Sequence, residues 1–131
     1  EKLADSGMDL GITLIDKKET SDFLPLLPDC IGRGINPGLL VRKIAKITRR
    51  LKCEFIQDEV ASVDLDRKKV FTKSKKLDYN YLVIASGSEA NFYGNENIQQ
   101  QALILDKADD ARRIIERFQQ DTSVDLIIGG G

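Results

Sequence analysis

An α/β fold, in which a parallel sheet is interrupted by an antiparallel meander, is predicted by three features of the chain. The first is Tyr81-Leu-Val-Ile-Ala-Ser-Gly-Ser88, an unbroken apolar run that stops on small residues. A strand covered by helices on both faces shows no polar alternation, so the run reads as a buried parallel strand. Small residues at its carboxyl end let a backbone approach a bulky group, and open α/β sheets bind nucleotides at that edge. The second is Ile12-Thr-Leu-Ile15, a β-branched strand ending on Asp16. A carboxylate there can accept hydrogen bonds from ribose hydroxyls, although Asp is also a common turn residue after strands. The third is Val124-Asp-Leu-Ile-Ile128 running into Gly129, Gly130 and Gly131. A glycine turn directly after a buried strand lets the backbone approach a pyrophosphate.

The remaining elements follow in chain order. Glu1 to Ser6 reads as a helix end closed by Gly7, where a left-handed cap favours glycine. Helix, then strand, then Asp16 is the second half of a βαβ dinucleotide unit whose first strand and glycine-rich turn precede it. Phe23-Leu-Pro-Leu-Leu-Pro28 is apolar but broken by two prolines, which predicts an ordered loop rather than a helix or central strand. Asn36-Pro37 reads as an N-cap with proline at the first helical position, leading into a helix with Leu40, Ile44, Ile47 and Leu51 on one face. The other face carries Arg42, Lys43, Lys46, Arg49, Arg50 and Lys52. Such a face is usually solvated, and in some proteins it rests on an anionic membrane or an acidic partner.

Strands are predicted at Cys53 to Ile56, Ser62 to Leu65, Val70 to Thr72 and Leu77 to Tyr79. The charged turns between them, Asp64 to Lys68 and Lys73 to Lys76, make the last three a meander. A loop with Asn91, Gly94, Asn95 and Asn97 follows the apolar run. Asp106 then caps a helix whose apolar stripe is Ala111, Ile114, Ile115 and Phe118.

Composition narrows the chemistry. A net charge of -1 argues against a nucleic-acid binder working by bulk electrostatics. With no His, Ser-His-Asp triads and His-based metal sites are excluded, so a cofactor carries any difficult step. Cys30 and Cys53 share no CxxC spacing, and both read as core residues, Cys30 buried or half-buried. No apolar run nears the ~20 residues that cross a bilayer, and a cytoplasmic location is the expectation.

Taken in order, the strand with Asp16, the Glu59-Val60 strand, the meander, Ala85-Ser-Gly87 and the final glycine turn resemble the pyridine nucleotide-disulfide oxidoreductase superfamily of flavoproteins. The loop Phe23 to Pro28 and the segment Asn91-Phe-Tyr-Gly94 most resemble type II NADH:quinone oxidoreductases, and sulfide:quinone oxidoreductases carry similar loops. The resemblance implies a Rossmann-like FAD-binding domain, a parallel sheet with an inserted antiparallel β-meander, truncated at both ends. Residues 1–105 would be a partial FAD-binding domain without its first strand and glycine-rich turn. Residues 106–131 would be a linker helix and the first strand of an NAD(P)H-binding domain.

The resemblance also implies roles for individual residues. Asp16 would hold the adenosine ribose of FAD with Lys17 beside it, and Val60 would meet the adenine through its backbone. Ala85, Ser86 and Gly87 would pack against the pyrophosphate, with Ser86 where the family more often has threonine. Pro25 and Leu26 would lie near the isoalloxazine ring, and Gly129 and Gly131 would open the NAD(P)H site. Implied partners are a quinone or another small electron acceptor, with peripheral contact to the inner face of a membrane and no nucleic acid. A sulfide:quinone or disulfide reductase-like flavoprotein, or a non-catalytic α/β module that binds a nucleotide, stands as the alternative.

Overall fold

The computed structural model of the chain describes residues 10–120 and residue 129. The expected helix end at Glu1 to Ser6, its Gly7 cap, the strand Val124 to Ile128, Gly130 and Gly131 lie outside the described residues. The chain divides into two compact units, Glu1–Ser21 with Arg42–Gly87 and Asp22–Val41 with Ser88–Gly131. The described elements form a mixed α/β arrangement with both a parallel pair and an antiparallel meander, as expected.

In the first unit, β1 (Thr13–Asp16) pairs in parallel with β4 (Glu54–Gln57), Asp16 lying opposite Gln57. The pair is prolonged at both ends by Glu54 N–H to the Ile12 carbonyl, 2.9 Å, and Asp58 N–H to the Asp16 carbonyl, 3.0 Å. Parallel strands need a crossover connection, and the chain enters β4 from helix α2 (Ile44–Arg50). Ile44 and Thr48, four residues apart, form the buried side of α2, and Ile56 is the buried residue of β4.

The meander is β5 (Val60–Asp64), β6 (Lys69–Thr72) and β7 (Lys76–Asp78), in that spatial order. Alternation along β6 buries Val70 and Thr72 and leaves Lys69 and Phe71 half-covered. The side chain of Lys69 pairs with Asp78 directly opposite, and Lys76 Nζ lies 5.6 Å from the centre of the Phe71 ring. The first turn is held by the Arg67 N–H donated to Asp64 Oδ1, 2.9 Å. Between Val60 and Ser62 the register shifts by one residue, so Ala61 is a bulge in β5.

The second unit packs a small helical core. A 3-10 turn at Leu24–Leu26 runs into α1 (Leu27–Arg33), which ends at Gly34 in the left-handed conformation, φ 69°. A second 3-10 turn, Pro37–Leu40, is capped by Asn36, whose Oδ1 accepts the Gly38 N–H at 2.9 Å. Helix α3 (Glu96–Gln101) is capped by Asn95, and α4 (Ala108–Gln120) presents the expected stripe of Ala111, Ile114, Ile115 and Phe118. Leu27, Cys30, Leu40, Ala108 and Ala111 form one buried cluster.

Several expectations are corrected. The run Tyr81 to Ser88 is not a strand, and it is not buried: Tyr81 is 92%, Val83 82% and Ile84 74% exposed. A parallel strand requires a ladder neighbour, and among the described residues this run has none. The loop Phe23 to Pro28 is a 3-10 turn and a helix start, because each proline occupies one of the first two positions of its turn, where its missing N–H leaves no bond unmade.

The single helix expected from Asn36 to Leu51 is three elements: the 3-10 turn, strand β3 (Val41–Lys43), which pairs with β2 (Thr20–Asp22), and α2. The Ile44 N–H is taken by the Glu19 carbonyl, 2.9 Å, which stops the helix from extending backwards. Asp106 does not cap α4. Its N–H is accepted by Asp110 Oδ2 at 3.1 Å, and Asp22 Oδ2 accepts the Ala108 N–H at 3.2 Å. Cys53 is half-buried rather than core.

Candidate nucleotide site

The carboxyl ends of β1 and β4 lie side by side, so Asp16 and the corner Asp58-Glu59-Val60 are neighbours in the first unit. Asp16 is half-buried, and its Oδ1 accepts the Lys18 N–H at 2.8 Å in an Asx turn that orients the carboxylate. Among the described residues no donor reaches Oδ2, which leaves an acceptor free for a ligand hydroxyl. Lys17 is exposed beside it, and its charge is felt by Glu59. Val60 opens β5 immediately before the bulge, with its side chain exposed. Bulges re-aim a backbone where ladder pairing would otherwise fix it.

The corner itself is tied down by Asp58. Its Oδ1 accepts the Glu59 N–H at 2.7 Å, while Oδ2 accepts the Thr72 hydroxyl at 2.6 Å, the Ser74 N–H at 3.1 Å and the Ser74 hydroxyl. The Ser74 and Thr72 hydroxyls hold the Asp58 carboxyl far below the usual carboxylate range, so it is ionised at neutral pH. Lys73 pairs with Glu59, lowering the Glu59 pKa, and its N–H donates to the Glu59 carbonyl at 3.0 Å. Sequence reasoning gave Asp58 no role. Contacts across 14 and 16 residues have no local signature.

The other expected site residues are placed less compactly. Ala85, Ser86 and Gly87 are exposed, and no hydrogen bond among the described residues joins them to the corner. Gly87 has φ 79° with open space where a Cβ would stand, so glycine is required there by conformation rather than crowding. Pro25 is exposed in its 3-10 turn, and Leu26 is packed against the helical core of the second unit. Gly129 is exposed, and Gly131 lies outside the described residues.

Cys30 is 1% exposed, with Sγ 3.6 Å from the Leu26 carbonyl, and burial pushes its thiol upward. A buried thiol kept protonated is a packing group and not a nucleophile. Among the described residues no cluster of three or more His, Cys, Asp or Glu could hold a metal ion.

The corner thus sets a carboxylate at the end of one strand beside the bulged start of another. A family model described as pyridine nucleotide-disulphide oxidoreductase matches residues 2–131. Among curated proteins, the chain is 28% identical to the mitochondrial external alternative NAD(P)H-ubiquinone oxidoreductase B3 of Arabidopsis thaliana, over 79% of this chain and 20% of that protein. It is 24% identical to the type II NADH:quinone oxidoreductase of Staphylococcus aureus, over 91% of this chain and 33% of that protein. Among solved structures it resembles the sulfide:quinone oxidoreductase of Aquifex aeolicus, with a TM-score of 0.79 and 29% identity over 91% of this chain and 28% of that one. The chain thus spans about a fifth to a third of the length of these relatives.

Proposed function

The chain belongs to the pyridine nucleotide-disulphide oxidoreductase family, and from that membership we propose that it builds the adenosine end of the FAD site in an oxidoreductase that uses NAD(P)H. The observation that carries this reading is the juxtaposition of Asp16, whose Oδ2 accepts no hydrogen bond among the described residues, and the bulged Val60 corner at the carboxyl ends of β1 and β4. Asp16 accepts the ribose hydroxyls, Lys17 lends positive charge beside them, and the Val60 backbone meets the adenine edge. Ala85, Ser86 and Gly87 offer a backbone without bulk to the pyrophosphate. Pro25 and Leu26 toward the flavin ring, and Gly129 and Gly131 toward NAD(P)H, complete the proposed assignments. In this reading residues 1–105 belong to the FAD-binding domain and 106–131 begin the NAD(P)H-binding one.

FAD, when bound, supplies the redox step, taking a hydride from NAD(P)H and delivering electrons to an acceptor. The residues of this chain supply placement and electrostatics, which accords with a sequence that has no His. A quinone is the proposed acceptor, supported by the names of the relatives from Arabidopsis and Staphylococcus. The reading is tested on the full-length protein loaded with FAD. Anaerobic NADH is expected to bleach the flavin absorbance within seconds, and a quinone to restore it. A flavin spectrum indifferent to both NADH and NADPH would instead favour a non-catalytic binding module.

A quinone acceptor dissolved in lipid requires the enzyme to work at a membrane surface. Among the described residues no helix is long and apolar enough to cross a membrane. Peripheral contact through the exposed cations Lys46, Arg49, Arg50 and Lys52 on and after α2 is the corresponding proposal. The full-length protein is then expected to co-sediment with vesicles containing anionic lipid and to be released by high salt. Equal sedimentation with neutral vesicles would contradict it.

A further inference from the structure

We propose that Asp58 is a positioning residue for the adenine end of the nucleotide site, acting as a latch that holds the Val60 backbone beside Asp16. The inference rests on the FAD reading above and deepens it. Three observations carry it. Asp58 accepts from both hydroxyls and one backbone N–H of the β6–β7 turn, while its own N–H is donated to the Asp16 carbonyl at 3.0 Å. One residue thus connects the end of β1, the β4–β5 corner and the second turn of the meander. Second, the Ala61 bulge begins two residues after Glu59. A bulged strand start has fewer ladder bonds to fix its direction, so an external anchor must supply the missing constraint. Third, Thr72 is buried, and its hydroxyl both donates to Asp58 and accepts the Lys75 N–H at 2.9 Å. The turn is therefore shaped around the carboxylate and is not merely near it.

Asp58 touches no ligand in this scheme. Its carboxylate is fully used by protein donors, and it acts by holding Val60 where an adenine edge can meet the backbone. Losing the latch frees the corner and raises the entropic cost of ordering it on binding. The effect falls on the adenosine half of the ligand and spares the flavin half.

The test compares FAD, ADP and FMN as ligands of full-length apoprotein, measured by titration calorimetry, in the wild type and in Asp58→Ala, Thr72→Val, Thr72→Ser and Ser74→Ala. Thermal unfolding is followed alongside. Asp58→Ala and Thr72→Val are expected to weaken FAD and ADP about tenfold, with FMN binding unchanged. Thr72→Ser, which keeps the hydroxyl, should bind ADP as the wild type does, and the surface change Ser74→Ala should weaken ADP by a smaller factor without loss of fold. Unchanged ADP affinity in Asp58→Ala and Thr72→Val would overturn the latch, as would parallel loss of ADP and FMN tracking lowered stability. Wild-type protein that binds neither FAD nor ADP would instead refute the proposed function from which the latch is drawn.

Discussion

Replacing Asp16 by alanine in the full-length protein is expected to weaken FAD binding by about ten- to a hundredfold, the effect of losing hydrogen bonds to a charged acceptor. The fold should tolerate the change, since the Asp16 backbone, and not its side chain, carries the bonds to β4 and Asp58. Among the described residues the side chain makes one local bond, to the Lys18 N–H. Equilibrium dialysis against FAD, paired with a thermal melt, separates the two effects. Retention equal to that of the wild type would remove Asp16 from the site, whatever the fate of the rest of the corner.

The largest expected effect on stability lies in the second unit. Leu27 is 2% exposed and packs among Cys30, Leu40, Ala108 and Ala111, of which Ala111 is wholly inaccessible. Leu27→Ala removes three carbons from a cluster with little room to collapse, and should cost about 2 to 5 kcal/mol. Leu39, in the same unit, is 72% exposed, and Leu39→Ala should change stability by less than about 0.5 kcal/mol. Urea denaturation of both variants checks the contrast. Equal losses would mean that the buried cluster does not hold the second unit together.

What was legible in the sequence was local. The strand ending on Asp16 and the meander with its two charged turns follow from β-branched runs and turn chemistry within a few residues. The α4 stripe follows from helical spacing in the same way. What failed depended on partners distant in sequence. Tyr81 to Ser88 has the composition of a buried strand, and its exposure goes with the lack of a paired neighbour among the described residues, which composition does not encode. Asn36 to Leu51 carries a helical pattern of apolar residues, yet β3 is drawn into a pair with β2 and the Glu19 carbonyl takes the Ile44 N–H. Tertiary pairing there outweighed propensity. Pro25 and Pro28 were read as breakers when each sits at the start of a turn, where proline is favoured.

The site was legible to the same degree. Asp16 was proposed from its place at a strand end and Val60 from the family resemblance, and the parallel pairing of β1 with β4 sets Asp16 beside the corner that leads into Val60. Asp58, the residue that ties the corner to the meander, gave no sign, because Thr72 and Ser74 reach it from 14 and 16 residues away. Gly87 was identified from the small residues that close the apolar run, and its left-handed φ of 79° accords with a turn that only glycine enters freely.

The central claim, that the strand ends of β1 and β4 help to hold an FAD, is tested most directly by reconstituting the full-length protein with FAD and recording its visible spectrum after gel filtration. The expected result is a yellow protein with flavin bound near one per chain, whose absorbance falls when NADH is added without oxygen. A colourless protein that emerges free of flavin, from a chain with an intact glycine-rich turn preceding β1, would contradict it.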